Sequence, residues 1–382
     1  MTQIFTFVDL RNISKINRLK ARAQERIRCL QQQIMMSMKS TIKILPALHG
    51  DAFILDLHKG DNHGIVIVDS GPSIEGRKIL KEFYNYDIID LMVISHFDDD
   101  HIAGIKRYAQ EVCIKSKDWN ISHMWVNNSK DYPIELDTDL SLDQVTTLAD
   151  ALESINQRYP EFVWKPYISE GYTQAFGFAD IEVVSPPLEY EKYMIKRIKE
   201  KVELADDEPE ADDDLKISLE DLAKRPAHEP DLGKYDELAN ATSIAFILRS
   251  DELSILMLGD SYPQNVENYL RQRHSETNKL TVDYVKVSHH GSLINSSTSL
   301  YDIIDCHNFI ISTNGKKYGH PDREAIAKIV CHPNRDEDFI NIYLNYPKDC
   351  YKQIINDGEE DRYKFKVHYG ITTLPNISTY DK

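Results

Sequence analysis

The sequence predicts an α/β protein in which two sheets pack face to face with helices outside. Short apolar, β-branched runs separated by Gly, Asp and Asn fill two stretches of the chain, and in both stretches polar residues collect where the runs end. With 382 residues, 41% hydrophobic and 28% charged, the chain is long enough for one large α/β domain with additions or for two ordinary domains.

Residues 1–37 stand apart from the rest. Ile13, Ile16, Leu19, Ala23, Ile27, Leu30 and Ile34 recur at steps of three and four with Arg and Lys between them, which predicts a basic amphipathic helix or extension. Such a helix can dock on its own domain or a partner subunit, lie on a membrane, or grip nucleic acid.

From Lys39 onward the texture becomes β-rich. Thr41 to Leu45, Ala52 to Leu57 and Ile65 to Val68 read as strands, with turns at His49-Gly50-Asp51 and Lys59-Gly60-Asp61-Asn62. A helix over Ile74 to Tyr84 and a buried strand over Leu91 to Ile94 follow. The second half repeats the layout, with strands at Ile181 to Val184, Ser243 to Leu248, Ile255 to Leu258, Tyr284 to Val287 and Phe309 to Ser312. Its helices fall near Gln264 to Arg271 and Leu300 to Ile304. Between the halves, residues 192–236 read as an exposed acidic insertion, and residues 336–382 as a C-terminal extension packing on a domain that spans 38–335.

Forty-five Lys and Arg against 62 Asp and Glu leave a net charge of -17, which excludes a surface that is basic all over. The charge is uneven. Residues 1–39 carry eight Lys and Arg against two acids, whereas residues 199–221 carry three lysines against eleven acids, so a local anion site remains compatible with the total. The five cysteines are odd in number and form no CxxC pair, which points to a reducing, cytoplasmic setting. No apolar run reaches the length of a membrane span, and no secretory signal pattern opens the chain.

The densest chemistry is His96-Phe97-Asp98-Asp99-Asp100-His101, directly after Leu91-Met92-Val93-Ile94. His96, Asp98, Asp100 and His101 place four potential metal ligands within a six-residue span just beyond a buried strand. As a strand, 96, 98 and 100 would share a face; as a loop, they could curl around ions. Three more strand ends add candidates: Leu258-Gly259-Asp260, Val287-Ser288-His289-His290-Gly291-Ser292 and Tyr318-Gly319-His320-Pro321.

Together these clusters resemble the metallo-β-lactamase superfamily, and within it the hydrolase domain attached to the competence DNA-uptake protein ComEC and its stand-alone relatives. The resemblance covers about residues 40 to 335. It extends to His49-Gly50-Asp51-Ala52, Val68-Asp69-Ser70-Gly71 and Asn240-Ala241-Thr242-Ser243. It implies an αββα four-layer sandwich of the metallo-β-lactamase type with two divalent metal ions, Zn²⁺ or Mn²⁺, with Mg²⁺ as an alternative. By position His96 and Asp98 would hold one metal, Asp100 and His101 the other, and Asp260 would bridge. Two departures stand out. The superfamily usually has His where this chain has Asp98, and its separate single-His ligand has no clear counterpart. His123, Asn127 and Asn128 are the candidates there, with the Asn pair preferred as a contact to metal or substrate. The extra oxygen donors shift the expected ion from Zn²⁺ toward Mn²⁺ or Mg²⁺.

His289, His290 and His320 compete for the last ligand position. The expectation is His289 or His320 as metal ligand and His290 as proton donor to the leaving oxygen or as a phosphate contact, with Asp100 and His290 as the catalytic residues. Ser292, Asn128, Asn314, Lys316 and Lys317 are candidates for binding substrate phosphate.

The resemblance implies a metal-dependent phosphodiesterase or nuclease acting on DNA rather than RNA, and its stand-alone relatives occur in bacterial antiphage defence systems, where this chain would be an effector. Two alternatives remain: a hydrolase of a small ester, lactone, thioester or cyclic nucleotide, because fold does not fix substrate, and a regulated interaction subunit that docks a protein partner through its N-terminal helix.

Overall fold

The computed structural model describes residues 40–115, 117–127, 135–136, 147–194, 214–336 and 338–376. The helix expected over residues 1–37, the candidate Asn128 and the most acidic part of the 192–236 stretch lie outside them.

The chain first builds a seven-stranded sheet. Strands β1 (Thr41–Ile44), β2 (Phe53–Lys59) and β3 (Asn62–Val68) form an antiparallel meander, and β4 (Ile89–Ile94), β5 (Ile121–Val126) and β6 (Val163–Lys165) extend it in parallel. The second sheet has eight strands and the same plan. Here β7 (Thr173–Phe176), β8 (Ala179–Ser185), β9 (Ala245–Arg249) and β10 (Ser254–Met257) are antiparallel. After β11 (Leu280–Thr281) come β12 (Tyr284–Lys286), β13 (Ile304–Asp305), β14 (Asn308–Ile311), β15 (Ile340–Leu344) and β16 (Phe365–Tyr369). Of these, β12, β14, β15 and β16 continue the sheet in parallel, while β11 and β13 pair with each other.

Alternation along the strands decides the layers. Phe53, Leu55 and Leu57 of β2, with Val66, Leu91, Val93 and Trp125, meet Val183, Phe246, Leu248, Ile255, Met257 and Tyr284 in one inner core. The other face of the first sheet, Ile54, Ile67, Met92 and Met124, packs on the helices Ser73–Phe83, Asp99–Lys115 and Leu148–Arg158. The other face of the second, Ile247, Leu256, Val285, Phe309 and Ile342, packs on Pro263–Leu270 and Arg323–Val330. Strands apolar on both faces are what two covered sheets require. The architecture is an αββα four-layer sandwich.

Two organisational expectations need correction. Residues 336–376 are not an appendage: β15 and β16 sit in the second sheet, and β17 (Thr373–Pro375) pairs with β1 at the edge of the first. The described part of the 192–236 stretch is not an exposed loop either. Its helix Leu219–Ala223 buries Leu219 and Leu222 fully, and Asp214 is buried against Arg225. A few apolar anchors outweigh the acidic composition around them because each fully buried leucine contributes about 1.5–3 kcal/mol.

Candidate metal centre

The parallel strands of both sheets end at one edge. Asp69 follows β3, Ser95 and His96 follow β4, Asp260 follows β10, His289 and His290 follow β12, and Ser312 follows β14. A crevice beyond the carboxyl ends of parallel strands is where an α/β fold gathers side chains without disturbing its ladders.

The sequence allowed residues 96–101 to be strand or loop; they are a loop that becomes a helix. Asp99 and Asp100 occupy the first turn of Asp99–Lys115, where carboxylates suit the helix dipole, and the His101 N–H bonds Asp98 O at 3.0 Å. Two glycines allow close approach. Gly259, at φ +52, precedes Asp260, and a Cβ there would lie 2.4 Å from Ser243 Oγ; a Cβ on Gly50 would lie 2.0 Å from Asp100 O. His289 and His290 themselves take left-handed backbone, at φ 45 and 55. For residues with a Cβ this costs on the order of 1–3 kcal/mol each, strain of the kind that collects at functional sites.

The side chains converge on Asp260 Oδ2. His101 Nε2 lies 3.2 Å from it, His290 Nε2 3.5 Å, His289 Nε2 3.8 Å and His96 Nε2 3.9 Å. Asp100 Oδ2 is 3.4 Å from His290 Nε2 and 3.8 Å from His101 Nε2, and Asp98 Oδ2 is 3.4 Å from His96 Nε2. Each ring is held from behind. His101 Nδ1 lies 2.9 Å from Asp69 Oδ2, His290 Nδ1 2.8 Å from Ser312 O, His96 Nδ1 3.1 Å from Ser95 Oγ and His289 Nδ1 2.7 Å from Asn295 Oδ1. Asp69 is fixed in turn by Ser95, whose N–H and Oγ–H both donate to it. Carboxylate and carbonyl acceptors on Nδ1 leave Nε2 as the coordinating atom.

These residues fit divalent ions. The Nε2 atoms of His96, His101 and His290 are buried without a hydrogen-bond partner, which in a native site calls for an occupant. Neighbouring ligands around an ion bound at about 2.0–2.1 Å in a tetrahedron lie roughly 3.4 Å apart, close to the separations here. Asp100, His101 and His290 fall within 4.8 Å of one another and would hold one ion; His96, His101 and Asp260 form a second such group, with Asp98 beside His96.

The electrostatics agree. Burial alone would lower the imidazole of His290, but Asp260 and Asp51 hold it up at about 10, and Asp260, Asp100 and Asp69 likewise hold His101 above its ordinary value. Burial would raise the Asp260 carboxyl, yet His101, His290 and Lys286 keep it well below the usual carboxylate range. So much negative charge in a dry crevice favours cations.

The remaining candidates divide. His290, expected as a proton donor or phosphate contact, has its Nε2 3.4 Å from Asp100 Oδ2 and 3.5 Å from Asp260 Oδ2, on a backbone that is left-handed at 289–290, so it too stands where a ligand would. His289 stands beside Asp260 at the edge of the cage. His320 is tied to Asp322 through Nδ1 at 3.1 Å and lies near His289, the two rings tilted by 58° with centroids 5.8 Å apart. Asn127 is used by the fold: its Oδ1 accepts from Ile168 N–H at 2.7 Å, and its Nδ2 donates to Ile168 O and Thr242 O. His123 lies back along β5, 3.1 Å from Asp90 O. Ser292 is buried, its N–H bonded to His289 O; Asn314 Oδ1 accepts from Lys316 N–H, and Lys316 and Lys317 are exposed.

Three contributors were not expected as site residues. Asp69 orients His101. Asp51 lies 3.4 Å from His290 Nδ1 and forms a buried ion pair with Lys286. Lys286 Nζ also reaches Gly259 O at 2.8 Å and Asp260 Oδ1 at 3.5 Å. The motif positions of Asp51 and Asp69 were legible as strand-end turns; Lys286, inside an apolar strand, carried no signal.

No family model matches the chain, and no curated protein matches it. Among solved structures it is similar to the metallo-beta-lactamase fold protein YhfI from Bacillus subtilis, at 10% identity over 88% of this chain and 99% of that one, with a TM-score of 0.32. It is also similar to Zn²⁺-bound PqqB from Methylobacterium extorquens, at 11% identity over 87% and 99% of the two chains, with a TM-score of 0.39. A diphosphatase from the PhnP family matches at 11% identity over 72% and 85%, with a TM-score of 0.33. Overlaps of this size leave the four-layer assignment resting on this chain's own sheets and helices, and its chemistry on the residues around Asp260.

Proposed function

We propose that the chain is a metal-dependent hydrolase and, within that class, a phosphodiesterase that cuts nucleic acid, with DNA as the preferred substrate. The observation that carries the reading is the convergence of three orphaned imidazole Nε2 atoms on one buried carboxylate, Asp260, with Asp98 and Asp100 alongside. Divalent ions bound there supply Lewis acidity toward a phosphoryl group and lower the pKa of water near neutrality.

The protein's own part is positioning. Asp69, Ser312 and Ser95 hold the ligand rings, and Asn295 holds both His289 and the Asp260 backbone, donating to Asp260 O at 2.8 Å. His289 Nε2, 3.8 Å from Asp260 Oδ2, or His290 would hand a proton to the departing oxygen. Around the mouth, Lys317 Nζ lies 4.5 Å over the Tyr318 ring, and Tyr318 is edge-on to His49 at 6.2 Å. An ammonium with stackable rings suits a substrate that carries phosphates and bases.

Purified protein with Mn²⁺ is expected to nick supercoiled plasmid, and Asp100→Ala to lose at least about 100-fold in rate, the scale of one removed transition-state contact. Absence of cleavage of DNA and RNA with Zn²⁺, Mn²⁺ and Mg²⁺ would refute the nuclease reading.

A further inference from the structure

We propose a second, independent metal site on the outer face of the first sheet, formed by Asp56, His58 and His63 and suited to a borderline transition ion such as Zn²⁺. Asp56 and His58 are two residues apart on β2 and therefore share a face, and His63 on β3 is the direct cross-strand partner of His58. The face is the outer one: Leu55 and Leu57 between them point into the inner core, whereas Ile54 faces the helices. His63 Nε2 lies 2.8 Å and His58 Nε2 3.3 Å from the same oxygen, Asp56 Oδ1, and the two rings stack with centroids 4.5 Å apart. All three ligand atoms fall within 4.8 Å of one another.

Two imidazoles and one carboxylate form the donor set of a zinc-type site, not the all-oxygen set that Mg²⁺ and Ca²⁺ favour. The side chains of His58, Asp56 and His63 are 17%, 36% and 51% exposed, so an ion can enter from solvent and keep water in its open positions. The site is remote from Asp260. His63 is the second residue of β3 and Asp69 follows its last, so six residues of extended chain, about 20 Å, separate them. An ion here takes no part in chemistry at the strand ends. It clasps the β2–β3 hairpin and stabilises the fold by mass action, binding the folded chain and not the unfolded one. None of this depends on the hydrolytic reading.

The test is Zn²⁺ binding to the full-length protein, read by competition with a chromophoric chelator. In a background carrying Asp100→Ala and Asp260→Asn, one equivalent is expected to remain, and adding His58→Ala with His63→Ala is expected to weaken it by at least about 10-fold, the lower bound seen when even an outer partner of a metal ligand is lost. In the unaltered background, His63→Ala alone is expected to remove one equivalent while leaving the melting temperature in excess chelator unchanged. Equal Zn²⁺ affinity with and without the two histidines, or equal stoichiometry in His63→Ala, would overturn the site.

Discussion

Lys286 shows how much of the site depends on a residue that no motif marks. It is fully buried at the end of β12 and touches Asp51, Gly259 and Asp260, so its fixed charge offsets part of the carboxylate cluster in the absence of any cation. Burial alone would lower its ammonium, but Asp51 and Asp260 hold it above its ordinary range. Lys286→Met would remove the main buried partner of Asp51 and leave only His290 beside it, and breaking such a pair costs up to about 3–5 kcal/mol. Urea unfolding in the presence of chelator measures it; a loss below about 0.5 kcal/mol, the ordinary surface value, would show that the pair carries no such weight. In the sequence Lys286 sits between Val285 and Val287, where a lysine reads as the solvent-facing member of a strand. Its partner Asp51 lies in the turn between β1 and β2 of the other sheet, and nothing local announces that meeting. The histidines that gather at the crevice were legible for the converse reason: His96, His101, His289 and His290 stand in short runs at strand ends, where a local pattern and a local geometry coincide. Where His289 and His290 would aim their rings was not legible, because both residues are left-handed and the composition does not encode their φ values.

Among the elements, the C-terminal strands were the least visible beforehand and are firmly tied in. Arg323, buried at the start of the helix Arg323–Val330, pairs with both carboxylate oxygens of Glu359, donates to Ile354 O at 3.0 Å, and reaches Asp214 O and Ile217 O, each at 3.2 Å. One guanidinium therefore joins residues 214–217, in the middle of the 192–236 stretch, to the segment between β15 and β16. Burial alone would raise the Glu359 carboxyl, but hydrogen bonds from Arg323 and from the Asn356 N–H hold it below the ordinary glutamate range. A carboxyl depressed in the folded state contributes stability above its unfolded pKa and loses it as pH falls through the folded value. Wild-type protein is thus expected to lose stability on the acid side more steeply than Glu359→Gln, as followed by melting temperature between neutral pH and pH 3. Parallel pH profiles for the two proteins would show that the clasp contributes nothing through its charge. The acidic run near Asp214 concealed this arrangement, since carboxylates that partner buried arginines have the same composition as carboxylates in solvent.

At the scale of the whole molecule, two similar sheets each run from an antiparallel meander into parallel strands, and the parallel ends of both open onto one crevice. Period-two alternation and turn residues made β1 to β4, β8 to β10, β12 and β14 legible, while the short β6 and β7 and the C-terminal β15 to β17 were missed; β15 and β16 follow polar connections rich in charged residues and Asn. Among the described residues no helix is long and apolar enough to cross a membrane. The -17 charge is partly a property of the crevice itself, where Asp51, Asp69, Asp98, Asp100 and Asp260 gather around a single lysine. Such a cluster is stable as a cation site and costly as anything else. The most direct measurement is anomalous diffraction from crystals grown with Mn²⁺. Two peaks are expected beside Asp260, one among Asp100, His101 and His290 and one between His96 and Asp98, both lost in Asp260→Asn. A crevice without anomalous density in the wild-type protein would contradict the account.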